Sequence, residues 1–159
     1  MMKNENTVGF EIRTLNNLMF RYFVAVGETH GFDECTVMHG WVLGFLYEHP
    51  DRVVFQKDIE NEFFISRSSV TGIVKVMEKK GYIIRESVAY DARLKKLTLT
   101  SQGRRVYEET IQDIERVEKM ICSGISQERL KNFYTVIQQM KKNILSEYGE
   151  KLCLKFFQD

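Results

Sequence analysis

The sequence predicts a mainly α-helical fold carrying one small two-stranded β element. Two observations predict it. Over most of the 159 residues, apolar side chains recur at helical spacing, whereas residues 82–99 alone alternate apolar and polar side chains as strands do. The apolar fraction of 43% is enough for a packed interior, and 28% charged residues is ordinary for a soluble chain. The length suits one domain, or two small lobes sharing a core. No apolar run approaches the roughly 18 residues that span a bilayer. The opening residues MMKNENTVGFE lack the apolar core and cleavage site of a secretory signal, so the chain reads as cytoplasmic with no membrane partner.

Ile12, Leu15, Leu18, Met19, Tyr22, Phe23 and Val26 place an amphipathic helix over residues 10–26, with Gly27 and Gly31 expected to end it. Thr36 is positioned to cap a second helix, apolar on most sides through Val37, Trp41, Val42, Leu43, Phe45 and Leu46. Pro50, the only proline, stops it. A short third helix is expected from Gln56 to Phe64, burying Ile59, Phe63 and Phe64. The stretch SRSSVTGIVKVMEKKG then forms a fourth. At about 100° per residue, Val70, Ile73, Val74 and Met77 share one side, and Arg67, Ser68, Thr71, Gly72, Lys75, Glu78 and Lys79 share the other. Gly81 supplies a left-handed C-cap. Residues 82–85 and 94–99 read as two strands. Residues 86–93 read as a polar hairpin loop, whose lack of glycine argues against a tight two-residue turn. After Thr100, Val106, Ile114, Val117 and Ile121 mark a long helix that Gly124 punctuates, and Leu130, Phe133, Tyr134, Ile137, Met140, Ile144 and Leu145 mark the last. The first and last helices carry more apolar surface than a small core can cover. That surplus predicts a second copy of the chain as partner, with the apolar tail KLCLKFFQD able to join the interface.

The net charge of +1 conceals a division along the chain. Residues 66–105 hold ten Lys and Arg against three acids, a window of +7, and the remainder stands at −6. A basic segment in an acidic body suits a localised polyanion contact. The order helix, turn, helix and two strands joined by a basic loop is that of a winged helix-turn-helix, whose second helix enters the DNA major groove. This gives the crowded hydroxyls of the fourth helix a use. Serine and threonine are short donors that let a helix approach phosphates, and Arg67 and Lys75 reach bases or phosphates from the same face. Gly72 removes bulk there, and a basic hairpin reaches the adjacent minor groove.

ISRSSVTGIVKVMEKKGYIIRESVAYDARLKKLTLTSQG resembles the signature of the MarR family of bacterial transcriptional regulators. The shared elements are the Ser/Thr-rich helix, Met77, Lys80-Gly81, Arg85, the Asp91-Ala92-Arg93 wing tip and Leu99-Thr100-Ser101-Gln102-Gly103. The resemblance covers residues 8–148. It implies a winged lobe over residues 36–100, dimerisation helices over 8–30 and 101–148, and a tail at 149–159. It further implies a homodimer on palindromic double-stranded DNA, acting as a repressor that a small aromatic effector releases. Ser66, Arg67, Ser68, Ser69, Thr71 and Lys75 would line the major groove. Arg93 would enter the minor groove with Asp91 orienting it, and Lys95 and Lys96 would compensate for Ala92, where the family often has a base. Tyr22, Met38, Trp41 and Phe45 are the candidates to line an effector crevice, and core packing explains them at least as well.

Other chemistries lack support in the sequence. No glycine-rich phosphate loop, nucleophile elbow or HExxH appears, so no enzymatic activity and no cofactor is expected. His30, His39 and His49 are scattered, and no metal site is expected from them. Cys35, Cys122 and Cys153 are too widely spaced for a disulfide framework or a metal clip. They read as idle thiols in a reducing compartment. A winged-helix protein-interaction module without DNA binding and a thiol-based redox regulator are the alternative readings. The retained basic face opposes the first.

Overall fold

The computed structural model describes residues 7–29 and 37–156, and among these it contains six helices and three strands. In chain order they are α1 (Val8–Thr29), α2 (Val37–Glu48), β1 (Val54–Phe55), α3 (Gln56–Phe63), α4 (Arg67–Lys79), β2 (Ile83–Val88), β3 (Asp91–Leu99), α5 (Ser101–Ile121) and α6 (Gln127–Phe156). The mainly helical class is as expected, with one addition. The sheet has three antiparallel strands in the order β1-β3-β2, because Val54 and Phe55 pair with Leu97 and Lys96. Two residues are too few to show alternation, so the sequence pattern does not reveal β1.

The core lies between α2, α4 and the sheet. Val42, Leu43, Ile59, Val70, Val74, Met77 and Ile83 are fully buried, so the apolar stripe of α4 is its anchor, as its periodicity predicts. α5 closes the core from the other side. Tyr107 packs over Gly44 of α2, where an added Cβ would stand 2.9 Å from the ring. Burial chiefly, with the nearby Glu48 carboxylate, pushes the Tyr107 phenol up, so the ring stays neutral there.

Three local expectations are corrected. α1 runs through Gly27 to Thr29, since one glycine inside a helix costs only about 1 kcal/mol. Phe64 is not buried. It closes α3 in the left-handed region at φ 51°, donating its N–H to the Glu60 carbonyl, and its ring is turned outward at 66% exposure. The hairpin is also tighter than expected. Both strands continue to Val88 and Asp91, leaving Ala89 and Tyr90 as a two-residue turn. Neither turn residue has positive φ, so the mismatch with strand twist is taken up by the register irregularity between Ser87 and Val88. Thr36, Gly31, His30 and Cys35 lie outside the described residues.

α4, β2 and α5 meet at one point. The Thr100 hydroxyl caps α5 by accepting from the Gly103 N–H at 3.0 Å, and its own proton is shared between the carbonyls of Gly81 (2.6 Å) and Tyr82 (3.1 Å). The Thr100 N–H donates to the Tyr82 carbonyl at 3.0 Å. Gly103 is pressed so closely on that carbonyl that an added Cβ would stand 2.1 Å from its oxygen. Gly81, at φ +73°, turns the chain out of α4 into β2.

Urea unfolding should rank two substitutions at this junction. Thr100→Ala removes the cap and should cost about 1–2 kcal/mol. Gly103→Ala should cost about 3 kcal/mol or more, because a backbone carbonyl cannot move aside as a side chain can. A Gly103→Ala protein as stable as the parent would refute the close contact.

Candidate nucleic-acid interface

Ser66, with extended backbone angles, is the N-cap of α4. Its Oγ accepts from the Ser69 N–H at 3.2 Å and lies 2.9 Å from the hydroxyls of both Ser68 and Ser69. Ser66 is therefore committed to the cap, while Ser68 and Ser69 stand exposed around it. Thr71 accepts from the Gln56 side-chain amide at 3.2 Å, which ties the first turn of α3 to the second turn of α4. Arg67 and Lys75 are exposed and make no ion pair among the described residues. Nothing lies within 4 Å of the Cβ position of Gly72, so the outer face of α4 is open at its middle.

The β2–β3 hairpin projects a second cation. Asp91 grips Arg93 three times: Oδ1 accepts from its backbone N–H at 2.9 Å and from Nε at 3.2 Å, and Oδ2 accepts from Nη2 at 3.2 Å. Arg93 nevertheless keeps 91% of its side chain exposed. The short Asx-type bonds fix the base of the arginine and leave its remaining donors outward. The Arg93 side chain first, and its backbone N–H second, hold the Asp91 carboxyl below the usual carboxylate range. Its folded pKa thus lies under its unfolded value. The tether is complete above the unfolded value and is lost only as pH falls through the folded one.

Other bases of the window are engaged within the protein. Arg85 bonds Glu78, joining β2 to the last turn of α4, and each partner's charge state is reinforced by the other. Lys96 pairs with Glu86 at 3.2 Å, and Thr98 donates to the same carboxylate at 2.8 Å. Lys95 donates to Ser87. Lys96 is therefore less available to compensate for Ala92 than its neighbour.

α3, α4 and β3 enclose a groove of about 410 Å³. It brings together Arg67, Thr71, Arg93 and Lys95 from the expected set, with Gln56, Lys57 and Glu60 of α3 added. Ser66, Ser68, Ser69, Lys75 and Asp91 do not line it. The α3 residues are missed by sequence reasoning, which treats α3 only as support. Exposed Lys57 in its first turn, where a base opposes the helix dipole, is the signal that was present.

The effector-lining set is divided by the structure. Phe45 is a core residue at 8% exposure, packed on Phe63 and His49. Trp41 stacks on Phe63 at 6.2 Å and Tyr22 is exposed on α1, while Met38 is half-buried. Cys122, at the end of α5, donates its thiol to Glu118 at 3.6 Å. Burial first, then the Glu118 charge, push that thiol up, away from the reactive thiolate. Among the described residues no group of His, Cys, Asp and Glu is placed to hold a metal ion. No helix among them is long and apolar enough to cross a membrane.

Residues 35–94, from the approach to α2 into the wing, match the profile of the MarR family. Over that stretch the chain is similar to the MarR family. It is 31% identical over 103 residues to the uncharacterised HTH-type transcriptional regulator YdgJ of Bacillus subtilis (strain 168), covering 65% of this chain and 62% of that protein. The match thus spans under two thirds of that relative's length. The structural likeness extends further than this alignment. The S. aureus MepR–DNA complex superposes with a TM-score of 0.78 at 23% identity, covering 89% of this chain and 99% of that one, and shows the common fold. Heme-bound PefR from Streptococcus agalactiae superposes at 0.64 with 28% identity, over 92% and 97% of the two chains.

The Asp91 tether gives a pH prediction. The amide resonance of Arg93 should hold constant from pH ~8 to ~5 and move only below the ordinary aspartate range, with the sign worked out above. A transition centred above that range would show that the three bonds do not persist in solution.

Proposed function

We propose that the protein is a homodimeric transcriptional regulator that binds palindromic double-stranded DNA sequence-specifically, without catalytic activity, and represses until a small aromatic effector releases it. One observation carries this reading. The outward cations of α4 and of the wing, Arg67, Arg93 and Lys95, converge on one groove beside an open helix face. In this reading Arg67, Ser68, Ser69, Thr71 and Lys75 of α4 face the major groove, with Ser66 setting the helix start. Arg93, oriented by Asp91, enters the minor groove, and Lys95 meets the backbone. A DNA partner supports a cytoplasmic location. Heme in PefR shows a flat aromatic ligand on a relative, and exposed Tyr22 and Trp41 with Met38 support a comparable ligand here.

The dimer reading rests on apolar faces without a partner in the protomer. Phe10, Leu15 and Leu18 of α1 are exposed, and so are Phe133, Tyr134, Val136, Ile144 and Leu145 of α6. Two copies joined through α1, α5 and α6, residues 8–30 and 101–148, would cover them and leave the 36–100 lobes free for two half-sites. A pure protein-interaction module would have no need for the segregated basic groove.

Anisotropy titrations with a duplex selected by the protein from a random library, and with its scrambled counterpart, test this at two salt concentrations. The parent should show a steep salt dependence on both. Arg93→Ala should weaken both complexes by about 1–3 kcal/mol with little change in thermal stability. Arg67→Ala should lose more on the selected duplex than on the scrambled one. An Arg93→Ala protein that binds as tightly as the parent at both salts would disprove the wing assignment.

A further inference from the structure

Glu60 is unusual among the residues of the groove. It sits in the middle of α3 at 5% exposure, yet its carboxylate makes no hydrogen bond or ion pair among the described residues. No fully buried side-chain oxygen among those residues lacks a partner, so the small area Glu60 keeps open includes its carboxylate oxygens. Glu60 lines a groove whose other charged members are Lys57, Arg67, Arg93 and Lys95. Buried carboxylates are normally paired, and one left unpaired where a polyanion must dock would oppose docking.

We infer that Glu60 is a positioning residue for Arg67: when DNA closes the groove, the carboxylate on α3 takes the guanidinium on α4 as its ion-pair partner and fixes its reading geometry. This rests on the DNA-binding reading above. Arg93 is already held by Asp91, and Lys95 already donates to Ser87. Arg67 and Lys57 are the groove cations with no partner among the described residues. Of these two, only a guanidinium has donors enough, in a planar fork, to hold a carboxylate on one edge and a nucleotide on the other. The pair would repeat on the helix what Asp91 and Arg93 do on the wing. It would also add a charged link to the Gln56–Thr71 bond that already joins α3 to α4.

A double-mutant cycle on the selected and scrambled duplexes tests the inference. Glu60→Gln should reduce the preference for the selected duplex about tenfold while leaving thermal unfolding near that of the parent. In an Arg67→Ala background the same change should alter that preference less than about twofold, because the residue it positions is gone. If Glu60→Gln does not fold, Glu60→Asp, which retracts the charge by one methylene, should give the same coupled loss. Three results would overturn the inference: Glu60→Gln binding the selected duplex as tightly as the parent or more tightly, effects that multiply independently, or coupling to Lys57→Ala in place of Arg67→Ala. A parent that prefers no duplex over its scrambled form would instead overturn sequence-specific DNA binding.

Discussion

The arrangement of α4 and the wing depends on the contact between Gly103 and the Tyr82 carbonyl, closed by the Thr100 hydroxyl. At that point the end of α4, the start of β2 and the start of α5 come within hydrogen-bond reach of a single side chain. α4 cannot rotate without carrying β2, and neither can move without disturbing the first turn of α5. The Arg85–Glu78 pair repeats the coupling one turn further along α4. Helix and wing are therefore joined as one unit, and α5 is the element that ties that unit to the helical lobe.

The same junction explains why the charge window is so uneven in its effect. Bases near the base of the hairpin, Arg85 and Lys96, are paired with Glu78 and Glu86; the first pair holds β2 against α4 and the second joins β2 to β3. Bases at the tip and on the outer face of α4, Arg93, Arg67 and Lys75, keep their charge available. One stretch of sequence thus supplies both the internal clamps and the outward positive charges, and only geometry separates the two.

Much of this was legible in the sequence because the relevant signals are local. The apolar stripe of α4, the Gly81 stop and the Asp91–Arg93 spacing each act within a few residues, and the structure keeps all three. What escaped was non-local or too short. β1 is two residues long and exists only by pairing with β3, and Phe45 carries no mark that separates a core aromatic from a crevice aromatic. The two-residue hairpin turn was hidden because an irregularity in the strand replaced the glycine that such a turn usually needs. Glu60 was invisible for the opposite reason: a carboxylate in a charged helix reads as solvated until tertiary packing buries it.

Assembly and reading geometry meet in one requirement. If α1 and α6 cover their apolar faces against a second copy, two readers are held at a fixed separation and related by a two-fold axis. Hydroxyl-radical footprinting of the dimer on its selected duplex measures this directly. Two symmetric protected patches on one face of the DNA, about 34–36 Å apart or at a whole multiple of that, are the result expected. A single patch, or protection without two-fold symmetry, would contradict the account.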